Sequence, residues 1–359
     1  EGFVPKKSSR PPRKSNEPAR DGIDYLSGTE GRIMTEAKLP LVCITHRLPD
    51  GWLSLLEDRC RMVIGPVDAT QLAPDLEAHL PEADGLLCLL TIPITEAVLA
   101  RASRLRVVSN MAAGVDNIDL VACTRRGIPV GNTPGVLTEG TADLTFALLL
   151  AAARGLPQAS QDAREGGWKT WSPAGWLGAD LHGASLGIIG FGKIGRAVAK
   201  RAVAFGMQVY YTDQEENPGA DSLPAVYLSF DDLIRSCDFI SVHTPLTPQT
   251  RQMINESALR KMKSSAILIN TARGSIVNMP ALARALKEGW IQAAALDVTD
   301  PEPLPPNHPL FQLPNCLITP HIGSATWNTR RKMAELACFN LLAGLEGNRL
   351  PYCVNPEVY

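Results

Sequence analysis

The chain has 359 residues, 45% of them hydrophobic and 20% charged, with a formal net charge of −2. That length supports two domains with sizeable cores, and the near-neutral balance gives no reason to expect nucleic acid or a membrane surface as a partner. Eight cysteines without a C-x-x-C pair read as reduced thiols of a cytoplasmic protein, and no metal-ligand spacing appears among them and the six histidines.

Residues 1–36 join Lys6, Lys7, Arg10, Arg13, Lys14 and Arg20 to Pro5, Pro11, Pro12 and Pro18, with few apolar side chains. Such a stretch cannot bury enough surface to offset its ordering entropy, so a disordered basic leader is expected. Met34 reads as a native start, and Glu17, Asp21, Asp24 and Glu30 argue against a transit peptide.

From Leu39 the pattern changes. Strands are expected at 41–45, 62–64, 85–90 and 106–109, with helices at 51–58 and 95–102 between them. Alternating strand and helix implies a parallel sheet covered on both faces. IPVGNTPG (128–135) reads as a turn-rich hinge. The helix expected at 137–154 is apolar on nearly every side along ALLLAAA (147–153), so either a domain core or a subunit interface should bury it. A loop at 166–176 follows, carrying Trp168, Trp171 and Trp176.

Residues 185–213, SLGIIGFGKIGRAVAKRAVAFGMQVYYTD, read as strand, tight turn, helix and strand. Gly190, Gly192 and Gly195 form G-x-G-x-x-G where the strand enters the helix. The first allows the turn, the second lets backbone approach a pyrophosphate, and the third lets helix lie close on sheet. The helix start, Lys193 and Ile194 included, offers N–H groups and a positive dipole end. Asp213 ends the next strand near the ~20-residue spacing of an acid that binds the adenosine ribose hydroxyls. A carboxylate there repels a 2′-phosphate, and Gln214 follows rather than an arginine. NAD(H) is therefore expected over NADP(H), with NADP(H) left open.

Further strands are expected at 239–243, 266–270, 293–298 and 316–319, and helices at 231–236 and 256–261. Asn278 and Pro280 start one more helix, which Gly289 closes. Prolines hold 300–314 open as a loop, and an amphipathic helix at 326–346 should return to the first domain. Arg273, Glu302 and His321 each fall at a strand end, where open α/β sheets bind ligands. A guanidinium can clamp a substrate carboxylate bidentately, a histidine can exchange the hydroxyl proton as hydride moves, and a neighbouring carboxylate favours the imidazolium.

At these residues the chain resembles the D-isomer-specific 2-hydroxyacid dehydrogenases, most of all the glyoxylate/hydroxypyruvate reductases. The resemblance rests on AAGVDNID (112–119), GIIGFGKIG (187–195), NTARGSIVN (270–278), LDVTDPEPLPPNHPLF (296–311) and TPHIGSAT (319–326). It implies an α/β protein of two Rossmann-like domains with parallel sheets. The inner NAD-binding domain, 133–322, is inserted in a substrate domain split between 37–132 and 323–359. It also implies reduction of a small 2-keto acid, with Arg273 as clamp, His321 as proton donor and Glu302 as its partner. Ala113 and Gly114 match the turn that holds the substrate carboxylate, Thr271 lies beside the cofactor, and Asp297 lies near the nicotinamide amide. Trp171 would reach a partner's site across a homodimer. Asp116 and Asp119 read as turn and helix-capping groups, and His243 as structural or adenine-side.

Alternatives stay open. The C-terminal-binding corepressors share the fold and triad as NAD(H)-sensing interaction proteins, and a 2-ketogluconate-type reductase would share the chemistry. A 3-phosphoglycerate dehydrogenase fits less well, as does a formate dehydrogenase, which has glutamine where Glu302 stands.

Overall fold

The computed structural model describes residues 39–216 and 223–359, so the expectation for residues 1–36 lies outside the described residues. Five short strands form the first sheet: β1 (Leu41–Ile44), β2 (Arg61–Ile64), β3 (Gly85–Cys88), β4 (Val107–Asn110) and β5 (Val130–Gly131). Helices α1 (Pro74–His79), α2 (Glu96–Arg101) and α3 (Leu120–Arg125) link them. The order is β2-β1-β3-β4-β5, parallel throughout. Strands covered on both faces favour apolar sequence, and LVCI, GLLC and VVSN are buried at every position, the polar Ser109 and Asn110 being hydrogen-bonded.

The helix expected at 51–58 is instead a run of turns. Gly51 and Asp58 both enter left-handed backbone, at φ 77° and 60°, and bonds such as Leu56 N to Leu53 O reach back three residues rather than four. Leu53 and Leu56 are still buried against the sheet.

The chain then crosses into α4 (Thr138–Ala153) and α5 (Leu156–Arg164). The second sheet comprises β6 (Ser185–Ile189), β7 (Gln208–Thr212), β8 (Ala225–Tyr227), β9 (Phe239–Val242), β10 (Ile267–Asn270), β11 (Ala293–Leu296) and β12 (Cys316–Ile318). Helices α6 (Lys193–Ala204), α7 (Phe230–Ser236), α8 (Glu256–Lys261) and α9 (Met279–Lys287) connect its strands, and α10 (Trp327–Leu345) follows β12. Its order, β12-β11-β10-β9-β6-β7-β8, is the doubly wound dinucleotide-binding arrangement with one more strand at the edge.

Not every side of α4 is covered. Ala142, Phe146, Leu149 and Ala153 pack inside the second domain against α6, β10 and β11, while Glu139, Asp143 and Ala147 face out. Core burial thus accounts for its inner face. Gly155, left-handed at φ 53°, ends α4 as expected but leads straight into α5, with Pro157 in its first turn. α10 returns to the first sheet and packs across β3, β4 and β5, so the first domain takes in chain on both sides of the second. Among the described residues no helix is long and apolar enough to cross a membrane. All eight cysteines are free, and burial pushes the Cys43 and Cys237 thiols up to about 11.

Candidate active site

Parallel strands line up their carboxyl ends, and a crevice opens where the strand order reverses, here between β6 and β9. The turn after β6 holds Gly190 at φ 93°, with Thr244 N only 2.6 Å from where a Cβ would stand. Gly192 caps α6, and a Cβ on it would meet nothing within 4 Å. Gly195 packs so closely that a Cβ would lie 2.2 Å from Gly190 O. Lys193 and Ile194 open α6, whose first-turn N–H groups suit a pyrophosphate. Asp213 follows β7; its Oδ2 accepts from Phe191 N and its Oδ1 from Gln214 N, both at 2.8 Å. The acid expected at the ribose therefore also ties the glycine turn to the neighbouring strand. This open glycine backbone beside a helix start and an acid fits a dinucleotide.

β10, β11 and β12 run side by side next to β9, and the loops after them carry Arg273, Glu302 and His321. Glu302 Oε1 lies 2.5 Å from His321 Nδ1, and its Oε2 accepts from Thr299 N at 3.2 Å. Burial alone would raise the Glu302 carboxyl. The hydrogen bond and charge of His321, the Thr299 amide and nearby Arg273 outweigh it and hold that carboxyl below the usual carboxylate range. With Nδ1 committed to Glu302, Nε2 is the ring atom through which a proton can pass to a ligand.

His321 sits at φ 52°, a left-handed conformation unusual for a side-chain-bearing residue and common at functional sites. Asp297 holds it there. The Asp297 carbonyl accepts from His321 N at 2.9 Å, while its buried carboxylate accepts from Thr319 Oγ1 (2.6 Å), Ile322 N (2.8 Å) and Gly323 N (2.8 Å). An aspartate expected beside a nicotinamide thus builds the turn that carries the histidine. Thr271 bonds Thr145 of α4 at 3.0 Å between hydroxyls.

Arg273 reaches across to the first domain. Its Nε donates to Asp116 Oδ2 at 2.6 Å and its Nη1 to Ala272 O at 2.7 Å. Its Nη2 abuts Gly114 so closely that a Cβ there would lie 1.8 Å away. Asp116 stands in a turn, as expected, and is in addition an ion-pair partner of the arginine. Because Nε is engaged, the Nη end of the guanidinium, not a fork including Nε, faces the turn. Asp119 does cap α3, accepting from Ala122 N at 2.9 Å. Gly274 lets the arginine's loop press on that of Glu302, since a Cβ would stand 1.9 Å from Thr299 O.

Ala113 and Gly114 follow β4, and Arg273 joins their turn in the first domain to the Glu302–His321 pair in the second. Trp171, 80% exposed, stands on the segment between α5 and β6 and does not join them. His243 directly follows β9 with Ser241 Oγ 2.7 Å from its Nε2, and burial drives its imidazole down to about 3, which keeps the ring neutral. Sequence reasoning missed the asparagines that brace the turn, Asn110 and Asn132. Among the described residues no group of His, Cys, Asp and Glu side chains is placed to hold a metal ion.

A dinucleotide turn and an Arg–Glu–His cluster, both after strands of one parallel sheet, define a nicotinamide-dependent oxidoreductase. The chain belongs to the D-isomer-specific 2-hydroxyacid dehydrogenase family, and residues 146–323 match the model of that family's NAD binding domain. It is 45% identical over 321 residues to the glyoxylate reductase of Korarchaeum cryptofilum, covering 89% of this chain and 97% of the relative. The TT0316 protein of Thermus thermophilus superposes with a TM-score of 0.82 at 48% identity, over 88% of this chain and 99% of the other. An NADPH-dependent glyoxylate/hydroxypyruvate reductase from Sinorhizobium meliloti, solved with NADP and malonate, superposes with a TM-score of 0.78 at 31% identity, over 89% and 97%.

Proposed function

We propose that the chain reduces small 2-keto acids, glyoxylate and hydroxypyruvate foremost, to D-2-hydroxy acids. The observation that carries this reading is the placement of Arg273 Nη2 against the Gly114 turn, with the Glu302–His321 pair close enough to feel its charge. A carboxylate held by the Ala113 and Gly114 amides and the Nη end of Arg273 sets the adjoining carbonyl toward His321. His321 Nε2 gives its proton to the carbonyl oxygen, and Glu302 steadies the charged ring through Nδ1. The bound nicotinamide supplies the hydride. Gly190, Gly192, Lys193, Ile194 and Gly195 would seat its pyrophosphate, Asp213 the ribose hydroxyls, and Thr271 and Asp297 would lie at the nicotinamide end. The names of the glyoxylate reductases at 43–50% identity support the substrate class.

Asp213 favours NADH. Its carboxylate would face the 2′-phosphate of NADPH, and the bonds to Phe191 N and Gln214 N hold it in place. The two separate sheets support 133–322 as the NAD-binding domain and 37–132 with 323–359 as the substrate domain. A homodimer would cover the apolar surface between α5 and β6, where Trp168, Trp171, Trp176 and Leu177 are exposed, and would carry Trp171 to the partner's cleft. Eight unpaired thiols suit the cytoplasm.

Initial rates of NADH and NADPH oxidation with glyoxylate, hydroxypyruvate and 2-ketogluconate test this reading. Turnover should be fastest with NADH and the two smaller acids. Turnover on the sugar acid alone would move the substrate, comparable rates with NADPH at low cofactor concentration would remove the Asp213 argument, and saturable NADH binding without any oxidation would end the enzymatic reading.

A further inference from the structure

The peptides of the substrate turn are held from behind. Thr133 N donates to Ala112 O at 2.9 Å, Asn132 Nδ2 to Ala113 O at 2.7 Å, and Asn110 Nδ2 to Gly114 O at 2.9 Å. In a trans peptide the C=O and the following N–H point in opposite directions. Tying back the carbonyls of Ala112 and Ala113 therefore aims the N–H groups of Ala113 and Gly114 the other way. Those are the amides assigned above to the substrate carboxylate, and Arg273 Nη2 stands against the same turn.

Asn132 is the side chain in this brace that comes from the crossover between the domains. It is itself fixed, since its backbone carbonyl accepts from Asn340 Nδ2 at 2.8 Å and its N–H donates to Tyr352 O at 3.1 Å. Asn340 is fully buried on α10, and its Oδ1 accepts from Tyr352 N at 3.0 Å. A continuous set of hydrogen bonds thus runs from α10 through Asn132 to the Ala113–Gly114 peptide.

We infer that Asn132 is a positioning residue for substrate binding: it fixes the Ala113–Gly114 peptide so that the Gly114 amide meets the substrate carboxylate, and it ties that alignment to the crossover. The inference rests on the carboxylate site assigned under the proposed function. Asn132→Asp keeps the shape but sets an acceptor against the Ala113 carbonyl, and Asn132→Ala removes the donor. Either should raise the KM for glyoxylate by about 10- to 100-fold, the range for a lost amide–carboxylate hydrogen bond. NADH affinity, read by quenching of protein fluorescence, should stay within about twofold of the unaltered protein, because Asn132 lies outside the glycine turn.

Arg273→Lys, tested in parallel, separates the two readings. If it raises the glyoxylate KM while both Asn132 variants lower only the thermal midpoint, Asn132 merely braces the fold and the inference fails. If neither Arg273→Lys nor the Asn132 variants move KM, the carboxylate is not held at this turn and the site reading fails with it.

Discussion

Replacing His321 by alanine should lower kcat by about 10²–10⁴-fold, the range that a positioned general acid contributes. In the proposed reaction the ring is the acid, with Nδ1 bound to Glu302 and Nε2 left to reach a ligand. Its left-handed backbone complicates the alanine variant, since side-chain-bearing residues resist φ 52°. Asparagine enters that region more readily than most residues, so His321→Asn keeps the turn while removing the acid. Both variants should bind NADH with unaltered affinity by fluorescence titration, and both should lose turnover. Near-normal turnover in the asparagine variant would take His321 out of the mechanism.

The second large effect is expected at Glu302. Glu302→Gln keeps an acceptor for Nδ1 but removes the charge beside the ring, and kcat should fall by roughly 10²-fold, the lower end of the general acid–base range. The same variant carries a pH signature in stability. The folded-state carboxyl of Glu302 lies below its ordinary value, so its contribution to stability is fully present above the unfolded value, about 4.3 for Glu, and is lost as pH falls through the depressed folded value. Urea midpoints of the two proteins should therefore differ at neutral pH, begin to approach each other below about pH 4.3, and converge once the pH has fallen through the depressed folded value. A gap that stays constant across that window would contradict the ion pair.

The parts of this site that were legible in the sequence are those set by local chemistry. A glycine turn needs its three glycines at fixed spacing because backbone must pass backbone, and a Cβ on Gly195 would lie only 2.2 Å from Gly190 O here. Strand ends carry reactive groups because a parallel sheet puts its carboxyl edges together, which is why Arg273, Glu302 and His321 could be placed in one cleft. What stayed hidden depends on contacts between distant segments. Asp116 lies 157 positions from Arg273, and nothing near it distinguishes an ion-pair partner from a turn residue. Asn132 was visible only as a turn former within IPVGNTPG, while its bond to Ala113 requires the crossover to fold back on β4. Asp297 was given a cofactor role by resemblance, yet its carboxylate accepts three bonds from the His321 turn, a role visible only once β11 and β12 lie side by side. The turns at 51–58 mimic a helix in apolar spacing, and only the left-handed Gly51 and Asp58 break it.

The most direct test of the account is a crystal structure with NADH and oxamate, a non-reacting 2-keto acid analogue. Its carboxylate should rest on the Ala113 and Gly114 amides and the Nη end of Arg273, with its amide oxygen, in the place of the substrate's keto oxygen, at hydrogen-bond distance from His321 Nε2. A carboxylate bound elsewhere, or an amide oxygen turned away from His321, would contradict it.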